Sequence, residues 1–242
     1  MKTIQNSYFT EHLSNSLSFE MIWVQGGSFQ MGNRESDAED YELPVHEVQV
    51  SDFFIGKYPV TQALYQAIMG ETPSNFNGKD HPVEQVSWEE AQAFIQKLNN
   101  QVGKSYRLLT EAEWEYAARG GIYSEDYLYA GSDNLKEVGW YVGNNNPNGT
   151  KPVGQKLPNE LGIYDMSGNV YEWCEDDYHD NYQGALKDGS AWLDQPSRGG
   201  LRVLRGGSWL GDARYCRVSY RNGGGPDFRD NYVGFRLALS PV

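Results

Sequence analysis

The chain has 242 residues and a formal net charge of −13, with 39% hydrophobic and 14% aromatic residues. That length and apolar content suffice for a buried core and exclude a disordered polymer. The acidic balance argues against a nucleic-acid partner, because phosphate binding needs clustered Lys and Arg. Cys174 and Cys216, the only thiols, are too few for a disulfide-stapled secreted scaffold. No run approaches a membrane span and the N-terminus lacks an apolar signal-peptide core. No direct membrane insertion is expected, therefore, and a cytoplasmic location is the default.

Taken in order, residues 1–20 read as a polar tail and residues 21–242 as a single domain. Residues 21–31 (MIWVQGGSFQM) read as a strand, a Gly-Gly turn and a second strand. The acidic loop 35–42 reads as a solvated charge run, followed by short strands over 45–50 and 53–58. Thr61 caps a helix that reaches Met69 and stops at Gly70, with Leu64, Ala67 and Ile68 on one face. Ser87 and Glu90 form a capping box for a second helix, whose apolar face is Ala91, Phe94, Ile95 and Leu98. Thr110 and Glu113 form another, with Leu109 and Trp114 as the hydrophobic staple and Gly120 at the end. Glu111, Glu113 and Glu115 read as helix-start and surface charges before catalytic carboxylates. Residues 121–158 are loop-rich, and no repeat or linker divides the chain. The pattern implies an α+β domain of short strands, loops and a few helices.

The last stretch, LRVLRGGSWLGDARYCRVSYRNGGGPDFRDNYVGFRLAL over residues 201–239, has a regular frame and an unpatterned filling. Residues 202–209 read as a strand entering a tight turn. Val233, Phe235, Leu237 and Leu239 alternate as in a strand with one buried face. Eight arginines fall between Arg198 and Arg236, and no Lys follows Lys187. Arginines so spaced tie loops together through carboxylates and carbonyls. A rigid frame around an unpatterned insert reads as a binding surface on a scaffold. His12, His46, His81 and His179 stand singly in loops, and no phosphate-loop, HExxH or GxSxG motif occurs in a proper context.

Several stretches in order, MIWVQGGSFQMG, KYPVTQALYQAIMG, HPVEQVSWEEAQAFIQKLN, YRLLTEAEWEYAARGG, PNELGIYDMSGNVYEW and RVLRGGSW…GFRLAL, resemble the sulfatase-modifying-factor family of formylglycine-generating enzymes. The resemblance spans residues 21–239 and implies a variant of the C-type lectin fold. The enzymes oxidise a sulfatase cysteine with a copper-binding cysteine pair, chemistry that suits soft thiolate ligands. Leu210, Gly211 and Asp212 stand where the first cysteine is expected, and Cys216 is alone in the segment, so the pair is absent and a non-enzyme is expected. In the enzymes, a structural calcium ion is held by the segment matching Asp165, Gly168, Val170 and Glu172. The resemblance thus implies such a site, set against a reading in which Asp165 caps a turn and Glu172 pairs with an arginine. No other cofactor is implied.

The tail is most similar to the variable proteins of diversity-generating retroelements, in which an error-prone reverse transcriptase mutates template adenines, mostly in AAY codons. The resemblance places a variable region at about residues 205–236. Its diversified, ligand-contacting positions are then Leu210, Gly211, Asp212, Tyr215, Asn222, Gly223, Gly224, Gly225, Phe228, Asp230, Asn231 and Tyr232. None of the types unreachable from AAY (Lys, Glu, Gln, Met, Trp) occurs from Leu210 onward. The implied partner is a protein or cell-surface ligand, with surface or phage display through another protein. The alternatives are a formylglycine-type oxidoreductase and a fixed accessory protein of the same fold.

Overall fold

A computed structural model describes residues 8–14, 17–36, 38–194, 198 and 200–241. Its strands are β1 (Tyr8–Ser14), β2 (Leu17–Val24), β3 (Gly27–Met31), β4 (His46–Val50), β5 (Phe53–Gly56), β6 (Tyr106–Arg107), β7 (Tyr171–Asp177), β8 (Arg202–Arg205), β9 (Arg221–Gly224), β10 (Val233–Phe235) and β11 (Ala238–Leu239). The helices are α1 (Gln62–Met69), α2 (Trp88–Val102), α3 (Glu111–Ala118) and α4 (Leu135–Val138). One sheet runs β1-β2-β5-β11-β6, a second β10-β7-β8-β9, and β3 pairs with β4. The architecture is the mixed α+β one expected from the sequence.

Local chemistry sets the helix ends. Thr61, Ser87 and Thr110 each accept a backbone N–H of the first turn, the last two within reciprocal capping boxes. Gly70 and Gly103 close α1 and α2 in the left-handed conformation. Leu109 and Trp114 pack in one core, while Ala91, Phe94, Ile95 and Leu98 of α2 pack in a second. On α1 the buried residues are Gln62, Leu64 and Tyr65, and Ala67 is exposed. The Tyr65 ring stacks on Phe94 at 5.4 Å, contributing apolar area that an alanine lacks.

Four expectations are corrected. Residues 8–14 and 17–19 are not tail but the outer hairpin of the larger sheet; residues 1–7 lie outside the described residues. Phe9 meets Phe54 edge-on at 5.0 Å, and Leu13 and Phe19 pack on the same core, so this hairpin buries apolar surface. The Gly-Gly step at 26–27 is a corner and not a hairpin turn, because β2 pairs with β1 and β5 whereas β3 pairs with β4. Residues 233–239 are two strands. β10 lies parallel to β7, and β11 lies between β5 and β6 in the other sheet. Residues 233–238 are buried on both faces, Arg236 included. Finally, Glu111 and Glu115 are 2% and 0% exposed and Glu42 is 0% exposed, so neither α3 nor the acidic loop carries merely solvated charge.

Candidate functional site

The C-terminal segment is pinned from beneath by buried arginines. Arg205 donates to Glu115 Oε2 at 2.5 Å, Glu111 Oε1 at 3.2 Å and the Val218 carbonyl at 2.7 Å. Arg221 grips both Glu111 oxygens at 2.6 and 2.8 Å and reaches the Tyr41 and His179 carbonyls. Arg217 pairs with Glu42, and Arg202 with Asp177. Burial opposes ionisation of Glu111, but Arg221 and Arg205 overcome it and hold its pKa below the ordinary value. Fork geometry of this kind fixes register as well as charge. These interactions bear out the reading of the arginines as loop ties.

Beyond β8 the chain turns at Gly206 and Gly207, both left-handed at φ 93° and 70°. A Cβ on Gly207 would lie 2.6 Å from the Tyr215 carbonyl and 2.7 Å from Cys216 Sγ, so only glycine lets the loop close. Trp209 Nε1 then donates to the Asn231 carbonyl at 3.0 Å, joining the start of the segment to its end. Its ring meets Phe76 edge-on at 5.3 Å. The loop backbone is fixed from outside as well. Gln85 N donates to Asp230 O, Tyr171 N to Tyr232 O, and Val142 N to Gly211 O.

Over this frame every expected position but Gly224 keeps some surface exposed. Leu210 is 50% exposed and Asp212 is exposed. Gly211, Tyr215, Asn222, Gly223, Gly225, Phe228, Asp230, Asn231 and Tyr232 are half-buried. Ring contacts join Tyr215 to Tyr220 at 5.0 Å, Tyr220 to Tyr41 at 5.8 Å, Tyr232 to Phe228 at 6.4 Å and Tyr232 to Tyr171 at 6.3 Å. Asn222 hydrogen-bonds the Tyr171 side chain.

Gly224 is the exception. It is buried, and an added Cβ would sit 2.7 Å from Trp173 Cη2 and 3.1 Å from Phe228 Cδ1. A Cβ on Gly223 would meet the Tyr178 ring at 2.9 Å, whereas one on Gly225 would meet only Asp227 Oδ1, at 3.0 Å. The three glycines are alike in sequence but differ in depth. Sequence reasoning also missed Tyr41, Tyr171 and Tyr178, which come from distant parts of the chain. A tyrosine inside the acidic run 39–42 was the one available signal.

In the expected calcium set of Asp165, Gly168, Val170 and Glu172, both carboxylates already have protein partners. Glu172 is committed elsewhere: Arg236 Nη2 donates to its Oε1 at 2.7 Å and Trp114 Nε1 to its Oε2 at 2.8 Å. Asp165 accepts Gly154 N at 2.7 Å and, more weakly, Asn169 Nδ2 at 3.4 Å. Burial pushes the Asp165 pKa up to about 6. With a guanidinium already neutralising one of two carboxylates, these residues do not fit a calcium cage as arranged. Among the described residues no group of three or more His, Cys, Asp or Glu side chains is placed to hold a metal.

Cys174 and Cys216 are both free and fully buried, in separate clusters, and form no pair. Burial raises both thiol pKa values, that of Cys216 to about 12. Neither thiolate is populated near neutral pH.

The sequence profile of the sulfatase-modifying factor enzyme 1-like domain matches residues 10–241. Treponema denticola variable protein 1 superposes with a TM-score of 0.82 and 33% identity, over 97% of this chain and 99% of that one. Chaperone protein LppX of Paenibacillus barcinonensis is 33% identical over 270 positions, covering 88% of this chain and 89% of its own. The formylglycine-generating enzyme of Thermomonospora curvata is 30% identical over 293 positions, covering 92% of this chain and 94% of its own. The fold is therefore the C-type-lectin-like one of that enzyme type, and the chain belongs to the family of the sulfatase-modifying factor enzyme 1-like domain.

Proposed function

We propose that this protein is a non-enzymatic, receptor-like variable protein of a diversity-generating retroelement, a single domain that binds a protein or cell-surface ligand through its C-terminal face. One observation carries the reading. Buried arginines and Trp209 tie the segment to the domain, while the interleaved Tyr, Phe, Asn and Asp positions stay exposed or half-buried, with their rings in two contact groups. Tyrosine offers large contact area at low entropic cost and Asn and Asp offer adaptable polarity, the composition of a paratope. The likeness to the Treponema denticola variable protein over nearly the whole chain supports it. The buried, unpaired thiols weigh against the oxidoreductase alternative, since copper chemistry needs accessible thiolates. No helix among the described residues is long and apolar enough to cross a membrane.

The test is the DNA beside the gene. A near-copy of the segment encoding residues 205–236, with a reverse-transcriptase gene nearby and mismatches confined to template adenines, is the expected result. The absence of any such copy would refute diversification and leave a fixed binding protein of the same fold.

A further inference from the structure

We infer that Tyr41 and Tyr178, which lie outside the C-terminal segment, form a constant aromatic floor that contacts every protein ligand, whatever residues occupy the variable positions other than 223. The inference rests on the binding reading above and adds two contact residues to it.

Tyr41 sits in a short turn (Asp40–Glu42) locked against the segment. Its neighbour Glu42 accepts from Arg217 at 3.1 Å and from Ser219 at 3.0 Å, and the Tyr41 carbonyl accepts from Arg221 at 2.9 Å. Its ring meets Tyr220 at 5.8 Å, and the two side chains are hydrogen-bonded to each other. Tyr178 follows β7, and its backbone N–H donates to the Leu201 carbonyl at 2.8 Å. The Arg221 guanidinium lies 5.1 Å from its ring. Arg221 therefore positions both tyrosines at once. Both remain partly exposed after this packing, so their accessible surface is already ordered before a ligand arrives.

Pre-ordered aromatic area is what a binding hot spot needs, because little rotamer entropy is left to lose. The variable positions act on this floor. Gly223 lies directly over the Tyr178 ring, where an added Cβ would come within 2.9 Å. Any side chain at position 223 would displace the Tyr178 ring, so the floor keeps this form where 223 stays glycine, and position 223 is held fixed in the test below. The exposed charges around the two tyrosines are mainly acidic: Glu39 and Asp40 precede Tyr41, Asp180 lies near Tyr178, and Asp212 and Asp227 are set against Arg214 and Arg229 along the segment, so the face disfavours a strongly acidic ligand. The partner it fits is a neutral to basic protein surface with apolar and backbone groups to set on the rings.

The experiment is a yeast-displayed library of this chain randomised at Leu210, Asp212, Tyr215, Asn222, Phe228 and Tyr232. It is selected separately against hen lysozyme and streptavidin, and each binder then receives Tyr41→Ala or Tyr178→Ala. The expected result is a loss of affinity of about tenfold or more for both probes. Tyr41→Leu and Tyr178→Leu, which keep apolar volume and so guard against misfolding, should lose affinity likewise while melting near the parent temperature. Affinities within about twofold of the parent, or a loss confined to one probe, would overturn the constant floor while leaving the variable face intact. A library that yields no binder to either probe would overturn the binding reading and this inference together.

Discussion

Gly224→Ala, set beside Gly225→Ala, separates the frame from the face. Gly224 is in strand β9 and needs no left-handed backbone, so the added methyl acts through contact alone. It would lie 2.7 Å from Trp173 Cη2. That ring cannot swing aside, because it is 1% exposed and its Nε1 donates to the Val86 carbonyl at 2.9 Å. Overpacking of this kind costs about 1–3 kcal/mol. The narrower unfolded ensemble of alanine returns about 0.4–1 kcal/mol. The net loss of roughly 1–2 kcal/mol lowers Tm by about 2–8 °C in a chain of this size. At Gly225 the methyl meets only a mobile carboxylate oxygen, and Tm should hold or rise slightly. Thermal unfolding followed by circular dichroism decides the matter. If Gly224→Ala melts at or above the parent temperature, the assignment of Gly224 to the frame is wrong.

Burial raises the pKa of Glu84 to about 7, of Asp165 to about 6 and of Asp176 to about 8. Each acid binds its proton more tightly folded than unfolded, so stability is lost as pH rises through these values. Tm should fall from about pH 4.5, near the unfolded values, to about pH 8 and level off above it, and Glu84→Gln should recover up to about 3 kcal/mol at the upper end; an unchanged slope in the variant would contradict the assignment. Native protein should show no reaction at Cys174 or Cys216 with a thiol-disulfide probe, and both should react after denaturation; prompt native labelling would reopen the oxidoreductase alternative. Because Glu172 is committed to Arg236 and Trp114, Tm in excess calcium and in chelator should agree within about 1 °C; a rise of several degrees would mean that Arg236 gives way to the ion.

The helix caps were legible in the sequence because a cap is local. Thr110 and Glu113 stand three positions apart and their interaction needs nothing else. Sheet membership was not legible. β2 and β3 are separated by two residues yet belong to different sheets, and nothing in their own pattern records which partner each will find. Glu111 looks like any acid in a first helical turn until Arg205 and Arg221 arrive from 94 and 110 residues away. For the face, the contrast between frame and filling was visible, but depth was not. Consecutive glycines at 223–225 carry no mark of which one lies against Trp173, since that depends on a ring from β7.

The buried ion pairs beneath the segment have a direction. Arg202, Arg205, Arg217, Arg221 and Arg236 supply the cations from inside it, while Asp177, Glu111, Glu115, Glu42 and Glu172 supply the anions from upstream. In the genetic code every aspartate and glutamate codon contains adenine, whereas arginine can be written CGT, CGC or CGG. A copying process that corrupts adenines would destroy a buried acid placed in the segment but pass over an arginine spelled without one. If the segment is diversified as proposed, the polarity of the pairs keeps the acidic half of each interaction out of the mutable text. The claim is then readable in the gene: the codons of Arg205, Arg217, Arg221 and Arg236, which fall within residues 205–236, should be CGT, CGC or CGG, and AGA or AGG among them would break the correspondence between the protein's charge pairing and the mutagen's chemistry.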